Sequence, residues 1–231
     1  MGAGRPKALV EIDGRPLIAY ALRHVLAADT ASEIVVVAPA GHAVVMHRAV
    51  ADVVVDARVT VTVIDGGDTR ADSVERGTAG LSDAVGVVLV HDAARAFTPA
   101  EVFTRVVSAV RAGHAAVIPV VPVPDTIKML QDEADYPRAP STEVPGEYVA
   151  HTVDRTRLRA VQTPQGFLRE TLQRAQSHAA ASGDRALRTD DAGLVEAMGG
   201  RVLAVAGDAR AHKITTAADI ALARTWVREE T

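Results

Sequence analysis

The sequence predicts an α/β protein: a doubly wound, mostly parallel sheet with helices on both faces and a protruding β-arm. Three observations lead there. Segments rich in Val and Ile alternate with longer segments rich in Ala, Leu and Arg at helical spacing, the βαβ rhythm of a parallel sheet. The run Val87-Val88-Leu89-Val90 is continuously apolar, as a strand covered on both faces must be, and passes without a turn signal into His91-Asp92-Ala93-Ala94-Arg95. From Asp132 to Glu147 the alternation breaks, because three prolines and many charges exclude a central helix or strand.

Taken in order, Pro16–Leu26 opens with proline at an early helical position and sets Leu17, Tyr20, Ala21, His24 and Val25 on one face of an amphipathic helix. Strands are expected at Glu33–Ala38, Val59–Ile64, Gly86–Val90, Ala115–Val120 and Arg201–Ala206. Thr98-Pro99-Ala100-Glu101 has the form of a capping box opening a helix to about Arg111, and Thr216-Ala217-Ala218-Asp219 does the same for the final helix. Gln162–Phe167 reads as a polar turn, and Ala211–Thr216 as a short strand carrying Lys213. Arg188-Thr189-Asp190-Asp191 reads as a helix start whose acids suit the helix dipole. Thr126–Leu130 and Tyr148–Val153 flank the proline-rich excursion as the two legs of a hairpin. A two-stranded arm is marginal alone, so a partner subunit is expected to cover it, with an unstructured surface loop as the alternative. Residues 1–231 are read as one domain, with 125–160 forming the arm.

The composition narrows the function. A chain of 231 residues with 48% hydrophobic content supports one sizeable core. A net charge of −4 and 3% aromatic residues give neither the basic footprint nor the stacking platforms of a nucleic-acid binder. Without cysteine there is no disulfide framework, thiol nucleophile or Cys-ligated metal. Apolar runs are strand-length and no signal peptide opens the chain, so a cytoplasmic protein with no membrane partner is expected. The histidines are scattered, and neither a Gly-x-Ser-x-Gly elbow nor a Walker A sequence is present.

Charge emerging at the carboxyl end of a buried strand stands where open α/β sheets bind ligands, which makes Asp92 a candidate metal ligand; a solvated Asp-Arg pair is the alternative. Asp65-Gly66-Gly67-Asp68 leads into Arg70-Ala71-Asp72-Ser73 at a helix start. Its glycines permit close backbone approach, and Ser73 and the helix end offer donors to an anionic or polar ligand. This loop, the Asp92 loop and Pro122–Lys128 all follow expected strands, so a parallel sheet gathers them on one edge. Most positive charge is carried by arginine, and the few lysines, Lys7 and Lys213 among them, supply compact ammonium groups suited to phosphate oxygens.

Together with Asp125-Thr126-Ile127-Lys128, His151-Thr152-Val153-Asp154-Arg155, Thr163-Pro164-Gln165, Thr189-Asp190 and Lys213-Ile214-Thr215, these motifs resemble, in order and spacing over essentially the whole chain, the 2-C-methyl-D-erythritol 4-phosphate cytidylyltransferase family. The resemblance implies a Rossmann-like nucleotidyltransferase fold. It implies transfer of a cytidylyl group from CTP to the sugar-alcohol phosphate, with Mg²⁺ as cofactor, in isoprenoid precursor biosynthesis. By the same resemblance Asp92 binds Mg²⁺, while Lys7 and Lys213 neutralise the α-phosphate and the transition state. Gly67, Asp68, Ser73 and Ala93 line the nucleotide. Arg95, Thr126, Arg155, Thr163 and Thr189 hold the acceptor, with Arg155 reaching across from the arm of a second subunit in a homodimer. Cytidylyl transfer to another polyol phosphate, such as ribitol phosphate, and a non-catalytic nucleotide-binding relative are the alternatives.

The departure from the family pattern is at the front. The family opens with a strand and a loop of the form Ala-Ala-Gly-x-Gly-x-Arg ahead of a Pro-Lys pair. Here only Met1-Gly2-Ala3-Gly4-Arg5 precedes Pro6-Lys7, and Arg5 stands too close to Lys7 to take the family arginine's place. The expectation is that Met1 is a misplaced start, and that without the first strand its neighbours in the sheet lack partners.

Overall fold

The computed structural model describes residues 6–54, 59–131, 146–182 and 190–230. The chain enters through a single 3₁₀ turn, Lys7–Leu9, and a tight hairpin of β1 (Glu11–Ile12) and β2 (Arg15–Pro16). Asp13 at φ 48° and Gly14 at φ 80° supply the left-handed pair that a two-residue hairpin turn requires. α1 (Leu17–Ala27) follows, with Leu17 to Leu22 all buried.

β3 (Glu33–Ala38) and β4 (Thr60–Asp65) pair in parallel, joined through α2 (Ala43–Val54) and followed by α3 (Arg70–Ala79). β5 (Val87–Val90) leads through α4 (Ala100–Arg111) into β6 (Ala116–Pro122). The two legs of the arm, β7 (Ile127–Leu130) and β8 (Val149–Val153), pair antiparallel as the sequence indicates; most of the proline-rich tip lies outside the described residues. β9 (Arg159–Val161) and β10 (Gln165–Leu168) return to the sheet. α5 (Arg169–Ser182), α6 (Asp191–Ala197), β11 (Leu203–Ala206) and α7 (Ala217–Glu229) complete the chain.

The larger sheet has the order β11-β6-β10-β5, with β9 also pairing on β6. β11 is parallel to β6, and β10 is antiparallel to both β6 and β5, so β5, β6 and β11 share one direction. β3 shares it too. The Glu33 carboxylate at the start of β3 accepts the Ser82 N–H, 3.0 Å away, just ahead of β5, while Ala93 just beyond β5 packs with Val36 and Ala38. The sheet is thus mostly parallel, with β10 inserted in reverse and the short β9 also antiparallel to β6.

Several local expectations are corrected. Gln162–Phe167 is no surface turn. Gln165 and Phe167 are buried in β10, and Gly166 allows α4 to approach so closely that a Cβ would lie 2.5 Å from Val106 Cγ1. Thr98 does not cap α4; its hydroxyl donates to the Arg95 carbonyl at 2.8 Å, and Pro99 holds the N-cap position without a side-chain bond. Lys213 is in no strand, because Ile214 turns into the core and its N–H bonds the Ala94 carbonyl of a loop rather than a sheet edge. The capping box of α7 is fully formed, and Thr69 with Asp72 makes a second one at α3.

Among the described residues β3 pairs only with β4, and β5 only with β10. Between the facing edges of β3 and β5 lies a cavity of about 580 Å³, lined by Ile34 and Val36 on one wall, Val88 and Val90 on the other, and by Leu22 and Phe103.

Candidate active site

The carboxyl ends of β3, β4 and β5 define one rim, where the cavity meets Arg70, Ser73, His91, Asp92 and Ala93. At β4 the chain turns through Gly66, whose N–H donates to the Ala38 carbonyl at 2.6 Å. A Cβ on Gly66 would stand 2.6 Å from Ser73 Oγ and one on Gly67 would stand 2.4 Å from Asp72 Cβ, so glycine is required at both. Ser73 Oγ accepts the Gly67 N–H at 3.1 Å, which folds the loop onto the first turn of α3 and leaves Asp68 exposed.

Asp92 is the hub. Its carboxylate lies 2.9 Å from Lys213 Nζ and 4.0 Å from Arg95 Nε, with its side chain 22% exposed. Burial raises this carboxyl's pKa, but Lys213, Arg70 and Arg95 outweigh burial and hold it below the usual carboxylate range. The Asp92 N–H donates to Thr163 Oγ1 at 3.0 Å, and the same hydroxyl lies 3.0 Å from His91 Nδ1. Burial pushes the His91 pKa down to about 4, so the ring is neutral at physiological pH.

Lys213 owes its position to α7. The Asp219 carboxylate accepts the N–H groups of Thr215 and Thr216, at 2.8 and 2.7 Å, and lies 2.9 Å from His212 Nε2; these bonds hold its pKa far below the usual range. The segment that carries Lys213 is thereby pinned to the amino end of that helix.

The structure brings Asp92, Ala93, Arg95, Thr163, Lys213, Gly67 and Ser73 to one rim. Arg95 is largely committed to structure, donating to the carbonyls of Ala211 at 2.8 Å and Val161 at 3.2 Å. Lys7 is exposed at the start of the entry turn, whose Leu9 packs with Val36 and Ala38 at the same end of the sheet. Thr126 and Arg155 lie on the arm. Arg155 donates to the carbonyls of Val123 and Pro124, and within the single chain makes no bond to the Asp92 cluster. Thr189 lies outside the described residues.

Sequence reasoning assigned no role to Arg70, which donates to the Asp191 carboxylate at 2.7 Å, or to His91 beyond its motif. The signal for Arg70 was its place at the first turn after the double glycine. That for His91 was the apolar run ahead of it, which buries whatever follows.

Among the described residues no cluster of three or more acidic or histidine side chains could cage a metal. A single carboxylate beside the ammonium of Lys213 nonetheless fits Mg²⁺, which is held by one or two carboxylates together with substrate phosphates. Donors and cations gathered at the carboxyl edge of a mostly parallel sheet define an α/β enzyme that works on phosphate-bearing ligands.

Comparison with known proteins gives that class its family. Residues 1–229 match the family model of IspD, 2-C-methyl-D-erythritol 4-phosphate cytidylyltransferase, and the chain belongs to this family of nucleotidyltransferases. It is 46% identical over 226 residues to the 2-C-methyl-D-erythritol 4-phosphate cytidylyltransferase of Saccharopolyspora erythraea, covering 96% of this chain and 91% of that one. It is 45% identical to the bifunctional enzyme IspD/IspF of Clavibacter michiganensis, which matches all of this chain, while this chain spans only 52% of that protein. The crystal structure of 2-C-methyl-D-erythritol 4-phosphate cytidylyltransferase from Thermus thermophilus superposes with a TM-score of 0.74 at 33% identity, covering 98% of this chain and 95% of that one. No described helix is long and apolar enough to cross a membrane.

Proposed function

We propose that the Asp92 rim carries out cytidylyl transfer from CTP to 2-C-methyl-D-erythritol 4-phosphate, and that the 2.9 Å Asp92–Lys213 pair is its centre. A phosphate oxygen of the acceptor attacks the α-phosphorus of CTP; the bond from that phosphorus to the α–β bridging oxygen breaks, and pyrophosphate leaves. The nucleophile is already an anion near neutral pH, so no general base is needed. The protein's work is to align two anions and absorb developing negative charge.

Lys213, half-exposed beside Asp92, is free to swing its ammonium onto the α-phosphate as nucleotide enters, and Lys7 approaches from the entry turn. Asp92 would hold Mg²⁺, which when bound screens the triphosphate. The backbone of Gly67, with Asp68, Ser73 and Ala93, faces the nucleotide. Thr163 presents its hydroxyl beside Asp92 to the acceptor, helped by Arg95, Thr126 and Thr189. Arg155, exposed at the base of the arm, reaches the site of a second subunit. Exposed Met129, Tyr148 and Val149 on the arm support such a homodimer, since they are 50%, 54% and 48% exposed in the single chain.

The test is product analysis with CTP, Mg²⁺ and each acceptor in turn. Diphosphocytidyl-methylerythritol with stoichiometric pyrophosphate is the expected outcome. Turnover with ribitol phosphate but not methylerythritol phosphate would reassign the acceptor. Binding of CTP without turnover of either would make the chain a non-catalytic relative.

A further inference from the structure

Arg70 has no part in the chemistry above, yet it makes an ion pair with a buried carboxylate beside the rim. Its guanidinium leaves the first turn of α3, directly after the Gly66-Gly67 loop, and donates to Asp191 Oδ2 at 2.7 Å. The Asp191 side chain is only 2% exposed.

From Asp191 the connection continues without a break. Asp190 caps α6 by accepting the Gly193 N–H at 2.8 Å. Gln165 on β10 clamps the same helix end: Nε2 donates to Asp190 Oδ2 at 2.8 Å, and Oε1 accepts the Ala192 N–H at 3.1 Å. Two residues earlier on that strand's approach stands Thr163, whose hydroxyl accepts the Asp92 N–H. The nucleotide loop, the start of α6, the approach to β10 and the metal-side turn therefore form one connected chain with Arg70–Asp191 as its ionic link.

Only the Asp191 end of this pair is buried, the Arg70 side chain being 38% exposed, and such a pair is weak evidence for a role in stability. The guanidinium reaches this carboxylate through one Nη2–Oδ2 bond, from a planar donor that a lysine ammonium does not reproduce. The link is therefore suited to carry position from one loop to the other.

We propose that Arg70 and Asp191 are positioning residues that couple the two substrate subsites, so that nucleotide on the Gly67 loop sets α6 and Thr163 for the acceptor, and acceptor binding tightens the nucleotide in return. The inference rests on the cytidylyl-transfer reading for the identity of the two ligands. Reciprocity follows, because a coupling free energy between two sites acts equally in both directions.

The experiment is calorimetry with a CTP analogue whose α–β bridge is a methylene, so that no reaction occurs. Affinity for 2-C-methyl-D-erythritol 4-phosphate is measured with and without the analogue and Mg²⁺. In the wild-type chain the analogue is expected to tighten acceptor binding by about fivefold or more. In Arg70→Lys and in Asp191→Asn that ratio falls to near one, while the acceptor's affinity in the absence of analogue stays close to wild type. A second readout needs no acceptor: the analogue alone slows hydrogen exchange at the Ala192 and Gly193 amides of wild type and leaves them unchanged in Arg70→Lys. A ratio preserved in both variants, or a wild-type ratio of one, overturns the coupling. Loss of analogue affinity alone would make Arg70 a direct nucleotide contact and overturn it as well. Wild-type protein that binds neither ligand refutes the functional reading itself, a different and separately visible result.

Discussion

Acidification between pH 6.5 and 4 is expected to weaken this fold through one imidazole. The His91 ring meets Phe103 edge-on at 4.9 Å and places Nδ1 3.0 Å from Thr163 Oγ1, while its Nε2 is buried without a hydrogen-bond partner. Thr163 Oγ1 accepts the Asp92 N–H and also bonds His91 Nδ1, the direction of that second bond following the tautomer of the neutral ring. Burial drives the pKa from 6.5 to about 4, so the unfolded chain binds a proton in this window that the folded chain refuses. Stability is therefore complete above pH 6.5 and drains away as the pH falls toward 4. At about 1.4 kcal/mol per tenfold change in proton affinity, the loss is about 3 kcal/mol, or roughly 6 to 12 °C in Tm for a chain of this size. Urea denaturation of wild type and His91→Gln at intervals from pH 7 to 4 measures it. Glutamine keeps an acceptor for Thr163 and does not titrate, so its curve lacks this loss. The reasoning is refuted if the two proteins lose stability in parallel across the window.

Other perturbations probe separate parts of the structure. Asp92→Asn keeps the shape of the turn but removes the anion from Lys213, and kcat should fall by roughly 10²- to 10³-fold while Tm changes little; steady-state kinetics over a Mg²⁺ titration and a thermal melt check both. Gly166→Ala drives a methyl group into Val106, Leu89 and Val110 and should cost about 1 to 3 kcal/mol by chemical denaturation. Arg155→Ala should raise the acceptor's apparent KM roughly tenfold or more with little effect on that of CTP; the opposite pattern would remove the arm from the acceptor site. Met129→Lys with Val149→Lys charges the exposed face of the arm, and if the proposed homodimer forms through it, light scattering should find a dimer for the wild type and a monomer for the variant.

The parts of this fold visible in the sequence are those fixed by local pattern. Glu33–Ala38 is a strand with the expected bounds, because an unbroken β-branched run covered on both faces has no competing helical period. The box at Thr216 formed because its Thr and Asp each reach the other's backbone N–H across one turn. What escaped depends on distant partners. Gln165 looks like turn chemistry until its amide is seen clamping the start of α6, and Lys213 looks like a strand residue until Ile214 finds a loop carbonyl. The site followed the same division: the emergence of Asp92 from a buried strand was legible, whereas the Arg70–Asp191 pair joins residues 121 apart and leaves no local trace.

The cleft between β3 and β5 also bears on cooperativity. Hydrogen-bonded strands open together, but among the described residues these two halves of the sheet share no ladder; packing, the Glu33–Ser82 bond and a few side-chain bridges hold them. β3, β4 and α2 thus constitute a unit that can open while the β5–β10–β6–β11 ladder stays closed. Native-state hydrogen exchange should resolve two classes of amides, with Val36 and Ala38 exchanging through a smaller opening than Val88 and Val117. The Gly66-Gly67 loop springs from the weaker unit, so this side of the rim, where nucleotide is proposed to bind, is the part of the site with freedom to move.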